Sequence, residues 1–204
     1  MNTIKGEIVN ELEINKSRFI TYLKHTDNVD DAKDYVSYVK ALHPSATHHV
    51  VAMTIGKTGE YGQANDDGEP SGTAGLPALD VFRKNDITNF TCVIVRYFGG
   101  VKLGAGGLVR AYSKSASTAL KMLEITPIID YLGLYLSFDY SFINIIENRL
   151  SKYEIIKKQF STNITFIVRV PKDEVTGVCN QLISMTNNLI KIQILKNDDE
   201  EEIE

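Results

Sequence analysis

The chain reads as an α+β protein of two domains, and three observations predict this. The second half alternates strand, helix, strand, strand, helix and strand between about residues 130 and 195. This βαββαβ order packs two helices on one face of an antiparallel sheet, the ferredoxin-like arrangement. The first half carries an apolar run, Phe90-Thr-Cys-Val-Ile-Val95, followed by an amphipathic helix over about 106–123. Thr126-Pro127 then breaks the pattern. The expected division is a first domain over 1–127, a second over 128–197 and an acidic, disordered tail over 198–204. A chain of 204 residues has room for two such domains.

The elements follow in order. Residues 4–14 and 17–25 form two strands joined by a polar turn, with Phe19, Thr21 and Leu23 alternating against Ile20 and Tyr22. Asn28 or Asp30 caps a helix running to about Ala41, on which Ala32, Tyr35, Val36 and Val39 recur at helical spacing. Residues 47–55 form a third strand. Residues 56–72 form a polar, glycine-rich loop, long for a compact domain and so a candidate for function. Thr73–Lys84 is a second helix, with Ser71 or Thr73 as its cap. On the helix over 106–123, Val109, Tyr112, Ala116, Ala119 and Leu123 share one face. In the second domain, strands over 130–138, 153–160, 163–170 and 189–195 alternate with helices over 141–151 and 172–186.

Composition excludes several classes. No run of about 18 apolar residues occurs, so no membrane-spanning helix is expected. The N-terminal MNTIKGEIVNELE is acidic and lacks an apolar core, so no secretory signal is expected. Cys92 and Cys179 are isolated and give neither a zinc spacing nor a disulfide framework. A cytoplasmic protein is the simplest reading. The net charge of −4 argues against general affinity for polyanions, but six acids crowd the last seven residues. Without them 22 basic residues face 20 acidic ones, a net of +2. Any nucleic-acid contact must therefore come from a local patch.

The most informative stretch is Arg96–Tyr112, RYFGGVKLGAGGLVRAY. Gly99, Gly100, Gly104, Gly106 and Gly107 accompany the cations Arg96, Lys102 and Arg110, between a strand end and a helix start. Unpaired N–H groups and the helix dipole favour an anion there. The segment lacks the Gly-Lys-Ser/Thr of a phosphate-binding loop and the G-x-G-x-x-G of a dinucleotide fold. Close packing, a phosphate or nucleic acid, and catalysis all stay open at this point.

A second constellation is Asp66-Asp67-Gly68-Glu69-Pro70-Ser71-Gly72-Thr73-Ala74-Gly75, whose three carboxylates suit magnesium or acid–base chemistry. Acidic turns are also common without function. His48 and His49 are adjacent on a strand and point to opposite faces, so they cannot chelate one metal. One is expected internal, the other exposed. Lys16-Ser17-Arg18-Phe19 places two cations at a strand start, suited to a phosphate backbone.

Together these segments resemble the YigZ/IMPACT family. The likeness rests on Lys16-Ser17-Arg18-Phe19, His43-Pro44 with His48, the Asp66–Gly75 block, and Arg96-Tyr97-Phe98-Gly99-Gly100 continuing through Lys102, Gly104, Gly106-Gly107 and Arg110-Ala111-Tyr112. Val50–Met53 departs from the family's Cys-Tyr-Ala-Tyr-Arg-like run. The resemblance implies a first domain that is a ribosomal-protein-S5-domain-2-like α/β sandwich, and a ferredoxin-like second domain. That pair is similar to the last two domains of the ribosomal translocation factor, an associational warrant. Eukaryotic IMPACT proteins restrain a stress-activated translation kinase by competing for its activator, a partner not carried over here. The expected function is a non-enzymatic translation regulator or ribosome-associated factor that binds RNA or a translation protein. Its anion-binding residues would be Lys16, Arg18, Arg96, Gly99, Gly100, Lys102, Gly104, Gly106, Gly107 and Arg110, with no cofactor, metal or membrane. The alternative is a small enzyme on a phosphorylated or carboxylated molecule, using Asp66, Asp67, Glu69 and Arg96.

Overall fold

A computed structural model describes residues 1–195 of the chain, and the acidic tail expected at 198–204 lies outside them. The chain divides into two compact units, Met1–Ile128 and a second that begins at Ile129. The first contains β1 (Asn2–Lys5), β2 (Glu7–Ile14), β3 (Ser17–His25), α1 (Val29–Leu42), β4 (His48–Ile55), β5 (Tyr61–Asn65), α2 (Gly75–Arg83), β6 (Phe90–Tyr97), α3 (Gly104–Leu120) and β7 (Glu124–Pro127). Five strands form an antiparallel sheet in the order β2-β3-β6-β4-β5, and β1 pairs with β7 as a separate ribbon.

Helix α1 begins at Asn28, whose side chain accepts from the Asp31 N–H. Strands β4 and β6 have both faces covered, which is why they read as continuous apolar runs. On one face Phe19, Leu23, Ala52 and Ile94 pack with Phe82 of α2 and Tyr112 of α3. On the other, Ile20, Val93 and Val95 pack with Tyr35 and Val39 of α1.

Three expectations need correction. The strand read over 4–14 is two strands, because Gly6 turns the chain at φ 82° and sends β1 to β7. The loop read over 56–72 contains β5, an edge strand with almost no buried face and hence no apolar alternation to detect. On α3 the buried stripe runs through Leu108, Ala111, Tyr112, Ser115, Ala116, Ala119 and Leu120, centred so that Val109 faces solvent.

The second unit contains β8 (Tyr131–Phe138), a 3₁₀ turn (Tyr140–Phe142), α4 (Ile143–Leu150), β9 (Glu154–Phe160), β10 (Ile164–Pro171), α5 (Val175–Met185) and β11 (Lys191–Leu195). Its antiparallel sheet has the order β11-β8-β10-β9, which is the ferredoxin-like topology. Leu136, Phe138, Phe166 and Val168 meet Ile146 and Leu150 of α4 and Val178 and Leu182 of α5 in one core. Among the described residues, no helix is long and apolar enough to cross a membrane.

Candidate anion-binding site

The site is built outward from Arg96 near the end of β6. Register places Phe19 of β3, Arg96 of β6 and His48 of β4 side by side across the sheet. Directly opposed residues share a face, so all three point toward α2 and α3. Arg96 is only 4% exposed. Its Nη1 donates to Glu69 Oε1 at 2.6 Å, and its Nη2 to Ser17 Oγ at 3.3 Å. Tyr112, from α3, donates its hydroxyl to the same Glu69 oxygen at 2.7 Å. Burial, reinforced by that hydrogen bond, pushes the Tyr112 hydroxyl well above its ordinary pKa, so it stays a donor. The second Glu69 oxygen lies 3.7 Å from His48 Nε2. His48 Nδ1 lies 2.8 Å from the Asp67 carbonyl, which can only accept, so Nδ1 carries the proton.

The three carboxylates of the acidic block therefore diverge. Asp66 accepts from the backbone N–H of Gly72 (2.7 Å), Ala74 (3.0 Å) and Gly75 (2.8 Å), closing the start of α2. Burial alone would raise its pKa, but these three donors outweigh it and hold the carboxyl below its ordinary value. Asp66, not Ser71 or Thr73, is thus the cap; the Thr73 hydroxyl donates to the Pro70 carbonyl instead. Asp67 accepts from the His49 N–H at 2.6 Å, and Glu69 is buried against Arg96. Three carboxylates aimed at three different partners do not assemble a shared magnesium site. Among the described residues no group of three or more His, Cys, Asp or Glu is arranged to hold a metal. The expected contrast between His48 and His49 is also corrected, because both side chains are mostly buried and hydrogen-bonded.

The glycine loop departs from β6 beside the turn between β2 and β3. The Gly99 N–H donates to Ser17 Oγ at 3.2 Å, so one hydroxyl serves both Gly99 and Arg96. A Cβ on Gly99 would stand 1.9 Å from the Lys16 carbonyl oxygen, so only glycine permits this approach. Gly100 and Gly104 follow at φ 84° and 68°. Helix α3 then opens with Gly104-Ala105-Gly106-Gly107, with no acid in its first turn and, among the described residues, no side chain capping it. Its N–H groups and dipole face outward, the geometry that attracts an anion.

A cavity of about 350 Å³ opens there, lined among others by Pro70, Arg96, Phe98, Lys102, Gly104 and Ala105. The acidic block and the glycine loop thus border one cavity, through Glu69 and Pro70 on one side of the sequence and Lys102 to Leu108 on the other. A second groove of about 220 Å³ lies along α3 between Asn15, Gly107, Arg110 and Lys114, and Leu103 belongs to both. Lys102, Arg110 and Lys114 are exposed.

The ten expected anion-binding residues are not all brought together. Arg96, Lys102 and Gly104 line the cavity, and Gly107 and Arg110 line the groove. Lys16 is exposed in the neighbouring turn, next to Asn15 of the groove. Arg18 pairs across the sheet with Tyr97, on the face opposite Arg96, stacks over the Tyr97 ring and binds Glu11 at 2.8 Å. Two further residues belong with the site. Phe98 is 47% exposed, with the Arg96 guanidinium 5.7 Å from its ring. Lys114 stands one turn beyond Arg110, and that i,i+4 spacing was the available signal.

Fold and site define a two-domain α+β protein, with an open helix start in its first unit and a ferredoxin-like second unit. The chain belongs to the IMPACT family. The Impact N-terminal domain matches residues 15–120, and a domain described as "Domain of unknown function (DUF1949)" matches 136–188. An IMPACT family member of Haemophilus influenzae is 37% identical over 196 residues, covering 94% of this chain and 95% of that protein. The IMPACT family member YigZ of Escherichia coli is 37% identical, over 88% of this chain and 90% of its own. A solved structure described as that of a hypothetical protein aligns over 96% of this chain and 97% of that one, at 33% identity and a TM-score of 0.64.

Proposed function

We propose that this protein is a cytoplasmic regulator of translation, or ribosome-associated factor, that binds RNA through its phosphates at the start of α3. One observation carries the reading: an uncapped, acid-free first turn sits beside the exposed cations Lys102 and Arg110. Among the described residues the side chains of Lys102, Arg110 and Lys114 form no ion pair or hydrogen bond, so their charge is available to a partner. The resemblance to the last two domains of the ribosomal translocation factor supports the choice of RNA as that partner, by analogy.

The test is co-sedimentation with ribosomal particles from native lysate, at low and high salt, with and without nuclease. The expected result is association that salt and nuclease abolish and that K102E with R110E removes while the fold is kept. Association insensitive to nuclease would assign the surface to a protein instead. Complete absence from ribosomal fractions would overturn the reading.

The enzyme reading draws on the buried Glu69–Arg96–Tyr112 cluster beside the cavity. It needs Glu69 and Arg96 alone, since Asp66 and Asp67 are occupied by backbone N–H groups. Loss of turnover of a phosphorylated or carboxylated molecule in E69Q, with stability retained, would favour it.

A further inference from the structure

The cavity at the start of α3 has features that a run of strand backbone would not use. Its volume, about 350 Å³, falls in the range of small-ligand sites. The Lys102 ammonium and the uncapped turn at Gly104 and Ala105 supply donors, while Pro70, Leu103 and the exposed Phe98 ring supply apolar surface. Arg96 also lines it, 96% buried, and among the described residues its Nε–H finds no acceptor after Glu69 and Ser17 have taken Nη1 and Nη2. A buried guanidinium with a donor unmet is favoured by negative charge placed beside it.

Resting on the RNA reading above, we infer that this cavity takes a phosphorylated strand end: a terminal phosphate on the start of α3 and Lys102, with its nucleobase against Phe98. A phosphomonoester offers three unsubstituted oxygens and up to two negative charges. A phosphodiester within a strand offers two oxygens and one charge. The first-turn N–H groups and Lys102 match the richer acceptor. Internal phosphates fit the adjoining groove, where Arg110 and Lys114 stand, and Leu103 borders both spaces. Phe98 gives a stacking face that any base can use. The same chemistry, a phosphomonoester beside a planar ring, also describes a free nucleotide.

Titration calorimetry of the full chain separates these sources. The probes are octa-adenylate RNA with a 5′-phosphate, with a 3′-phosphate or with neither, and adenosine monophosphate, at one ionic strength. One phosphorylated end should bind about tenfold tighter or more than the unphosphorylated strand, as expected for charge-assisted hydrogen bonds. That difference should vanish in K102E and shrink in F98A and F98L, while R110E weakens all three RNAs alike. Equal affinity for the three RNAs would overturn the inference and leave the RNA reading standing. Phosphate-dependent binding of adenosine monophosphate without RNA binding would overturn the strand end in favour of a free nucleotide, and the RNA reading with it. Binding of no probe would overturn both.

Discussion

At the start of α2 the Asp66 carboxylate takes three backbone N–H groups, whereas at the start of α3 no side chain among the described residues takes any, and the first turn holds only glycine and alanine. Both helices lie on the same face of one sheet, and both first turns carry the same partial positive charge. The difference lies in where the compensating negative charge comes from. For α2 it comes from within the chain, so that end is structural. For α3 the carboxylate that borders the same cavity, Glu69, is held by Arg96 and Tyr112, and the proposed function assigns the turn to a partner.

The largest expected effect comes from removing that restraint. Glu69→Ala leaves the buried Arg96 guanidinium without its carboxylate, a change that typically destabilises by about 3–5 kcal/mol. A large drop in the urea midpoint measures it, and a midpoint within error of the parent would show that Arg96 finds another partner. Next, Gly99→Ala drives a Cβ into the Lys16 carbonyl and should destabilise by roughly 1–3 kcal/mol, more than any exposed glycine of the loop such as Gly100. Thermal melts of both variants make the comparison direct.

Asp66→Ala should cost about 1–2 kcal/mol, the upper range for a lost helix cap. Asp66 also predicts a pH signature. Its carboxyl is held below the ordinary value in the folded state, so its contribution is present at neutral pH. That contribution is lost as pH falls below about 4 and through the folded-state pKa. Denaturation midpoints of the parent should therefore fall faster on acidification than those of Asp66→Asn, and parallel curves would count against the assignment.

The smallest effect is the most discriminating. Ala105→Glu puts an acid into the bare first turn of α3 and should stabilise the fold by roughly 0.3–1 kcal/mol through the helix dipole. The same change should abolish RNA binding, because the new carboxylate occupies the anion's place. A variant that is more stable and still binds would separate the site from this turn.

What the sequence disclosed follows from burial and spacing. Strand β6 and the ferredoxin-like half were legible because each has a covered face with a periodic signature. Edge strands β5 and β7 were not, since side chains on them face solvent and carry no alternation. The α2 cap escaped because Asp66 sits eight and nine residues before two of the N–H groups it accepts from, beyond the local spacing of capping motifs. The glycine loop was visible as a link from a strand end to a helix start, but the separation of Arg18 from Arg96 depended on strand register. Adjacent positions across β3 and β6 send these two cations to opposite faces, one to Glu11 and one to Glu69.

The ribbon of β1 and β7 has a consequence for how the molecule is made. Asn2 pairs with Pro127, and the Met1 carbonyl accepts from the Ile128 N–H, so the opening residues of the first unit meet its last ones. Closing so long a loop is slow, and β1 has no ribbon partner until β7 has left the ribosome. Asn2 also bonds Asp86 and Thr88, so β1 has an earlier anchor, and the ribbon with β7 is the contact that must wait until the whole unit has been made.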